Sequence, residues 1–541
     1  MPVIMVLIVS LLVALSGSRS VAHESGSLAG PPGERLGTVT FPIACQTALQ
    51  QPFERAVALL HSFWYLEALQ AFTAVTQADP DCAIGYWGIA MSHWYQIWSP
   101  PSPAALQRGW EAVEKAQAAP SSTPRERDYI MAAEAFFKAW EKRDHRTRAL
   151  AYEQAMAQVA HRYPHDTEAA AFYALALQAT ADPKDKSYAQ QRQSSAIAEQ
   201  IFAATPDHPG AVHYLIHAYD YPALAARGLA AAQRYAQFAP SVPHALHMPS
   251  HIYVLLGMWP ETIQSNLAAA AAEQQRGNPD DHLHALDYLI YAYLQQAQDH
   301  DAQRVLDEGR GIVAALAARH YNSGRPTAPF AIAAMEARWA MERERWAEAA
   351  ALAPRPTKFP HTEAMLFFAR AIGAARTGNA PQARADAAQL ARLREALLQA
   401  QNGYWAEQVD IQHRAATAWA LHAEGQGTEA LAMMRAAAAL EESTEKHNIS
   451  PGPIALAREL CGDMLLELHQ PAHARGEYET ALRVAPNRFK AIYGAAKAAA
   501  LAGDRETAGH YYGKLLDLAA SDASARPALQ EARAFVGTAS K

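Results

Sequence analysis

HYLIH at 213–217 and HMPSH at 247–251 are the stretches that decide the fold. Each begins and ends with a histidine, and equivalent histidines of the two stretches lie 34 residues apart. A 34-residue period is typical of a helix–turn–helix unit that stacks on its neighbours into a solenoid. Residues one period apart occupy equivalent places on neighbouring helices, so the pattern predicts a row of imidazoles along one wall of a superhelix.

The same period occurs near the C-terminus, where Ala474 and Ala508 lie 34 residues apart, as do Tyr478 and Tyr512. The order of small residue, aromatic residue and proline recurs near the N-terminus at Ala68, Phe72 and Pro80. The small residue lets two helices approach, the aromatic ring fills their interface, and the proline ends the second helix. Because apolar residues recur at helical spacing, we predict an all-α, right-handed solenoid of tetratricopeptide-like helix–turn–helix repeats.

Changes in composition divide the chain of 541 residues. A hydrophobic start predicts a signal peptide over 1–22, and a Gly/Ser-rich stretch predicts a flexible leader over 23–40. The main solenoid is expected over 41–442, with a histidine-rich groove at 208–291. A proline-rich break precedes a predicted C-terminal pair of repeats at 450–541.

The N-terminus has a short apolar core from Pro2 to Leu15 and a Ser-Val-Ala sequence ending at Ala22, as in exported proteins. It departs from that pattern because no Lys or Arg precedes the apolar core. We expect a periplasmic or secreted bacterial protein without stable membrane insertion, since later segments are too polar to span a bilayer.

Three cysteines remain after the predicted cleavage: Cys45, Cys82 and Cys461. In an oxidising compartment Cys45 and Cys82 could form a disulfide that clips the N-terminal segment onto the first repeat; two buried thiols are the alternative. Cys461 lies in a helical pattern and is expected in the core.

Five segments carry a resemblance to a known family. They are FWYLEALQAF at 63–72, DPDCAIGYWGIAMS at 79–92, HPGAVHYLIHAYDYP at 208–222, APSVPHALHMPSHIYVLLGMW at 239–259 and PGPIALARELCGDMLLEL at 451–468. Together they resemble a widespread family of exported bacterial tetratricopeptide repeat proteins, over nearly the whole mature chain. The resemblance implies the fold and export, and it implies no activity.

The repeat register places the histidines on first helices. With Pro209 and Pro243 as the first residues of their units, His213 and His247 are fifth residues, while His217 and His251 are ninth residues. In repeat proteins of this class such places line the concave groove, as the resemblance implies. Two histidines four residues apart share one helix face, with Cβ atoms roughly 6 Å apart, so each pair could chelate a metal ion.

Four further residues are candidate ligands or supporting groups. They are Asp220, three residues beyond His217, together with His244, His284 and Asp287. After a six-residue insertion, His284 corresponds to His244 and Asp287 to His247. Tyr214 and Tyr219 are candidate substrate-side groups. Pro249 separates His247 from His251 and is expected to disturb the second pair, because a proline inside a helix bends or restarts it.

This donor set suits a divalent transition metal such as zinc, copper or iron. The scarcity of glutamates disfavours a carboxylate-bridged iron pair, and the absence of HExxH excludes that class of zinc hydrolase. Two alternatives stay open. The histidines could only hydrogen-bond to neighbouring helices, or they could contact a ligand without any metal.

Function follows from the groove and the histidines. Stacked repeats most often present surfaces for recognition, so we predict a binding or scaffold protein whose groove takes a peptide, a protein or a small molecule. A metalloenzyme that uses the same histidines is the alternative hypothesis. The net charge of −7 argues against a nucleic-acid partner, and no lysine occurs between Lys186 and Lys358, where the histidines lie.

Overall fold

The computed structural model describes residues 28–95, 100–321, 324–520 and 523–539, and within those ranges the regular structure is helical. The predicted signal peptide, 1–22, lies outside the described residues. The first helices are α1 (Gln50–His61), α2 (Tyr65–Ala78), α3 (Ala83–Ser92), α4 (Pro103–Ala118), α5 (Pro124–Phe137), α6 (His145–Arg162), α7 (Thr167–Ala179) and α8 (Ala189–Ala204).

The middle of the chain carries the histidine pairs. Its helices are α9 (Pro209–Tyr219), α10 (Leu229–Phe238), α11 (Pro243–His247), α12 (Pro249–Leu256), α13 (Trp259–Arg276), α14 (Pro279–Gln295), α15 (Asp299–Ala318), α16 (Thr327–Met341) and α17 (Trp346–Ala350). Short 3₁₀ helices precede α1 at Thr47–Leu49 and α10 at Ala225–Gly228.

The last third continues the array. Its helices are α18 (Pro360–Arg376), α19 (Ala380–Gln399), α20 (Gly403–Ala423), α21 (Gly427–Glu442), α22 (Ala457–Glu467), α23 (Pro471–Val484), α24 (Phe489–Leu501), α25 (Arg505–Leu518) and α26 (Pro527–Ala539). Helices that are consecutive in the chain pack against each other from α1 to α26. Among the described helices, none is both long enough and apolar enough to cross a membrane.

The repeat register is the predicted one. Helices α9 and α11 begin at Pro209 and Pro243, as the register requires, and proline suits the first turn of a helix because it has no N–H to leave unpaired. Tyr478 is fully buried, and its ring lies where a Cβ on Gly462 or Gly494 would be. Small residues therefore let helices close around an aromatic ring, and the chain is an all-α solenoid of tetratricopeptide-like repeats.

The described part of the predicted leader lies against the solenoid. Arg35 N–H donates to the Ser241 hydroxyl at 2.8 Å, and the Thr38 hydroxyl donates to Asp207 at 2.7 Å. Leu36 is buried in the core of the first repeats. Residues 28–40 thus connect the start of the chain to the loops on either side of the α9–α10 unit.

Cys45 and Cys82 form a disulfide, which resolves the alternative that the sequence left open. The bond closes a loop across 37 residues and holds the segment before α1 against the start of α3. Cys461 is a buried free thiol in α22, as predicted.

A segment of the chain crosses the solenoid between α21 and α22. We call residues 443–456 the strap. Lys446 Nζ lies 2.7 Å from Asp220 at the end of α9, and the Tyr404 hydroxyl of α20 donates to the Glu445 carbonyl. Arg338 of α16 donates to carbonyls of the strap at Gly452 and Pro453. The strap therefore joins the histidine-bearing repeats to later repeats.

The C-terminal repeats return to the middle of the chain. Trp259 Nε1 donates to the Asn487 carbonyl at 2.8 Å, and Arg488 donates to the Tyr291 hydroxyl at 2.7 Å. Arg488 is buried and paired with Glu342 and Glu459. The segment 450–541 is thus in direct contact with helices α13 and α14.

Candidate metal centre

Six of the eight predicted site residues meet in two groups of three imidazoles. The first trio consists of His213, His217 and His244, and the second trio of His247, His251 and His284. Within each trio, one ring nitrogen of every histidine lies within 4.8 Å of the others. The trios come from first helices of consecutive units, α9, α11 with α12, and α14, so the 34-residue repeat brings them together.

The helix restarts at Pro249, as expected, because α11 ends at His247 and α12 begins at Pro249. The restart does not move the two histidines apart, contrary to expectation. Met248, between α11 and α12, keeps helical angles (φ −54°, ψ −36°), so the two short helices continue one another. The Ser250 hydroxyl donates to the His247 carbonyl at 2.7 Å and so gives a hydrogen-bond partner to a carbonyl at the break between the two helices. His247 and His251 therefore stay on one face, with their Nε2 atoms 3.1 Å apart.

Hydrogen bonds fix the tautomers of that pair. The Asn266 Nδ2 donates to the Thr262 carbonyl, so Asn266 Oδ1 faces His247 Nδ1 at 2.7 Å and accepts a hydrogen bond from it. His251 Nδ1 lies 2.9 Å from a carboxylate oxygen of Asp220, which also can only accept. Both Nδ1 atoms carry hydrogen, so in neutral rings both Nε2 atoms carry lone pairs and face each other.

In the first trio, hydrogen bonding fixes the tautomer of His213. His213 Nδ1 donates to the His61 carbonyl at 2.7 Å, a group that the end of α1 leaves without a helical partner. Its Nε2 is then an acceptor, with His217 Nε2 and His244 Nε2 each at 3.1 Å. A single lone pair on His213 thus faces two other ring nitrogens.

Burial keeps these rings neutral. It lowers the pKa of His213 to about 3 and that of His247 to about 4, because a charged imidazole loses its hydration in the interior. Burial also lowers the pKa of His217 and His251 well below the usual value, and the neighbouring histidines and Lys446 lower it further. Protons therefore do not fill the space between the Nε2 atoms at neutral pH.

The two predicted aspartates have different roles. Asp220 contacts the second trio through His251 Nδ1 and is paired with Lys446, while burial raises its pKa to about 6. Asp287 faces Arg338, with Nε–Oδ1 at 3.2 Å, and belongs to neither trio. Asp220 orients a ligand ring, whereas Asp287 neutralises the arginine that holds the strap.

The tyrosines predicted to face a substrate lie elsewhere. The Tyr214 hydroxyl contacts His61 Nδ1 at 2.8 Å, and the Tyr219 hydroxyl donates to Glu199 at 2.5 Å. The Tyr288 hydroxyl lies beside the second trio, 3.4 Å from His251 Nε2. It lies four residues after His284 on α14, a helical spacing that could have identified it from the sequence.

A third polar cluster, which we call the Glu168 cluster, lies next to the first trio. It consists of His61, Glu168 and His208, all buried. His208 Nδ1 accepts from the Ala211 N–H, so its Nε2–H donates to Glu168 at 3.0 Å; His61 Nε2 lies 2.6 Å from the other carboxylate oxygen. Burial opposes ionisation, but the two histidines hold the pKa of Glu168 well below its usual range.

Every ring nitrogen of the Glu168 cluster has a complementary partner, because the Tyr214 hydroxyl meets the remaining nitrogen of His61. The cluster is therefore a closed hydrogen-bond network. It also fixes the end of α1, whose carbonyl orients His213. Gly210 permits this packing, since a Cβ there would lie 2.6 Å from His61 Nδ1. Sequence reasoning missed this cluster, because its members come from three distant helices.

Comparison with known proteins adds a fold likeness only. No protein-family model matches the chain, and no curated protein matches its sequence. Among solved structures, the human IFIT1 dimer with m7Gppp-AAAA is 12% identical, with a TM-score of 0.35, over 81% of this chain and 90% of that chain. Yeast Tom70 is 11% identical, with a TM-score of 0.34, over 91% and 96%.

The tetratricopeptide domain of P58(IPK) is 13% identical, with a TM-score of 0.20, and the match covers 91% of this chain and 99% of that domain. These neighbours are helical repeat proteins, which is the class that the structure of this chain itself defines. At such identities and TM-scores the likenesses carry no argument about ligands or activity.

Proposed function

We propose that this chain is a tetratricopeptide-like binding or scaffold protein whose histidine trios hold a divalent transition metal. One observation carries the proposal: His247 Nε2 and His251 Nε2 face each other at 3.1 Å while both Nδ1 atoms are committed as donors. Two lone pairs at that distance repel each other. A metal cation that both nitrogens coordinate would remove this repulsion.

The alternatives account for the geometry less well. If the histidines only bonded to neighbouring helices, their ring nitrogens would be paired donor to acceptor, as in the Glu168 cluster. The Tyr288 hydroxyl supplies one donor at 3.4 Å, and the second trio has two lone pairs to satisfy. Imidazole nitrogen suits zinc, copper, nickel and iron, and outer partners that orient the rings are typical of metal sites.

A metalloenzyme is the second candidate, and a specific feature favours it. Three protein ligands leave a coordination position for water or substrate, as in catalytic zinc sites, whereas structural sites use four. His244 and His284 are partly exposed, while the other four histidines are buried. Each trio could therefore be reached by a small molecule from its partly exposed member.

The proposal places the protein outside the cytoplasm, in the periplasm or beyond. The apolar N-terminal segment with its small-residue ending supports export, and so does the resemblance to exported bacterial repeat proteins. The pairing of Cys45 with Cys82 supports an oxidising compartment. Mass spectrometry of the protein secreted by its bacterial host tests this placement, and a mature chain that starts at His23 is the expected result.

Metal analysis of protein purified without chelators tests the central claim. We expect at least one transition-metal ion per chain in the wild type, and loss of metal in the double variant His213→Ala/His247→Ala. The matched control is His300→Ala/His473→Ala, which removes two exposed histidines away from the trios. A wild-type protein that takes up no zinc, copper, nickel or iron after reconstitution would refute the proposal.

A further inference from the structure

The two trios are neighbours and share no ligand. The rings of His217 and His251, one from each trio, have centroids 6.0 Å apart, and those of His244 and His247 are 6.2 Å apart. Within the trios the centroid distances range from 4.5 Å for His247 and His284 to 6.5 Å for His217 and His244, so the centroids alone do not divide the six rings. The ring nitrogens do divide them, because those of each trio lie within 4.8 Å of one another.

We propose that the site is a two-metal centre, with one ion in each trio and a small anion from solution that bridges them. This inference rests on the proposed metal binding and gives it a stoichiometry and a ligand class. The ligand is a small anion of two or three atoms at most, such as hydroxide or azide, because it must fit between adjacent sets of rings.

A single ion cannot satisfy all six histidines. Nitrogens bound to one ion at about 2.0–2.1 Å lie no more than about 4.2 Å from each other. Within each trio the ring nitrogens lie within 4.8 Å of one another, and the six nitrogens do not form one group at that distance. An ion in the first trio would leave the lone pairs of His247 and His251 still opposed at 3.1 Å, and a second ion removes that repulsion.

The charges around the trios call for an anion. All six ligands are neutral imidazoles, so two divalent ions bring four positive charges that no ligand offsets. The buried carboxylates alongside are already paired, Asp220 with Lys446 and Asp287 with Arg338. Burying unbalanced charge is costly, so an anion from solution stabilises the pair of ions.

Each trio has one histidine that is partly exposed to solvent. His244 contributes to the first trio and His284 to the second, and both are partly exposed. Solvent can therefore reach an ion in either trio through its partly exposed ring. The trios are close enough for one ligand to contact both ions, since His244 and His247, one from each trio, have centroids 6.2 Å apart.

Reconstitution with Cu²⁺ and removal of unbound metal tests the inference on the full chain. We expect two copper ions per chain, an electron paramagnetic resonance signal well below that of two isolated Cu²⁺ ions, and a change in visible absorption on adding azide. The variants His217→Ala and His284→Ala, one per trio, should each keep one ion with the full signal of isolated Cu²⁺. Thermal unfolding by circular dichroism checks their fold, with His217→Gln and His284→Gln as replacements where alanine prevents folding.

The outcomes separate the two proposals. One copper ion in the wild type, lost in either variant, would overturn the two-metal centre and leave single-metal binding in place. Two ions with a full, uncoupled signal and no response to azide would overturn the bridging anion. A wild-type chain that binds no copper and none of the other transition metals would remove both proposals.

Discussion

The histidine trios and the Glu168 cluster lie next to each other in the interior, and they differ in how their ring nitrogens are paired. In the Glu168 cluster a carboxylate accepts from both imidazoles, and each remaining ring nitrogen meets a complementary group. In the second trio, two ring nitrogens that can only accept face each other at 3.1 Å. The arrangement of hydrogen-bond donors and acceptors therefore distinguishes a structural network from a ligand site.

The contrast also shows how one cluster serves the other. The Glu168 cluster fixes His61 at the end of α1, and the His61 carbonyl then sets the tautomer of His213. Asn266 and Asp220 do the same for the second trio. Hydrogen bonds to the Nδ1 atoms of His213, His247 and His251 thus direct the Nε2 lone pairs toward the other rings of each trio. Outer partners that orient the ligand rings in this way are typical of metal sites.

The largest expected effect comes from breaking the closed network. Glu168→Gln removes a fully buried charge between two histidine donors, and we expect a loss of about 3–5 kcal/mol in the free energy of unfolding. Chemical denaturation of metal-free protein measures it. The control is Glu308→Gln, whose partner His282 lies outside both trios and whose carboxylate is partly exposed. A loss below about 1 kcal/mol for Glu168→Gln would contradict the closed network.

The second effect is a pH dependence of the metal-free protein. His213 and His247 have folded pKa values of about 3 and 4 against 6.5 in the unfolded chain, so the unfolded state binds more protons as pH falls below about 6.5. The free energy of unfolding is therefore unaffected by these two histidines above about pH 6.5, and it falls as the pH drops toward 4. Between pH 7 and pH 5 the two groups should cost about 2–4 kcal/mol.

The variant His213→Ala/His247→Ala serves as the reference for that pH series. Carboxylates away from the trios titrate alike in both proteins, so the difference between the two stability curves reports the two imidazoles together with Asp220, whose pKa of about 6 is influenced by His247. We expect the variant to lose less stability than the wild type on acidification. Parallel curves from pH 7 to pH 5 would show that these histidines are not held neutral.

The sequence predicted the fold well, because the 34-residue period and the first-turn prolines at Pro209 and Pro243 are local signals. The period also identified His213, His217, His247 and His251 as neighbours, since a solenoid places equivalent residues next to each other. Their division into two trios was beyond sequence reasoning, because it depends on ring rotations that Asn266, Asp220 and the end of α1 decide.

Contacts between distant parts of the chain were not predictable in this way. Lys446 reaches Asp220 from 226 residues away because the strap crosses the solenoid. Glu168 and His61 meet across 107 residues, and neither carries a spacing signal. Pro249 restarts the helix as expected, yet His247 and His251 stay on one face because Met248 keeps helical angles. Local periodicity specifies which helices are neighbours, and long-range packing specifies which polar atoms meet.

A third effect tests whether outer partners set the ligand atoms. Asn266→Ala removes the acceptor that holds the hydrogen on His247 Nδ1, and we expect metal affinity to fall about 10–100-fold. Competition with a metallochromic chelator measures it. Asn379→Ala, which removes a helix cap at the start of α19, is the matched control and should leave affinity unchanged. Equal affinity in Asn266→Ala and wild type would place His247 outside the ligand set.

The smallest effect separates metal binding from stability within the trios. Lys446→Ala removes a positive charge that lowers the pKa of His217, His251 and His284, and the same charge repels a bound cation. We expect metal affinity to rise roughly tenfold, since like charges at this range interact by about 1–2 kcal/mol at an intermediate dielectric constant. The free energy of unfolding of the metal-free protein should fall, because the buried carboxylate of Asp220 loses its ion pair.

Lys184→Ala, whose pair with Glu407 is exposed, is the control for loss of a lysine. A variant at Lys446 that bound metal more weakly would mean that the strap holds the trios in place, and that the contrast between open ligand atoms and closed networks does not extend to the strap.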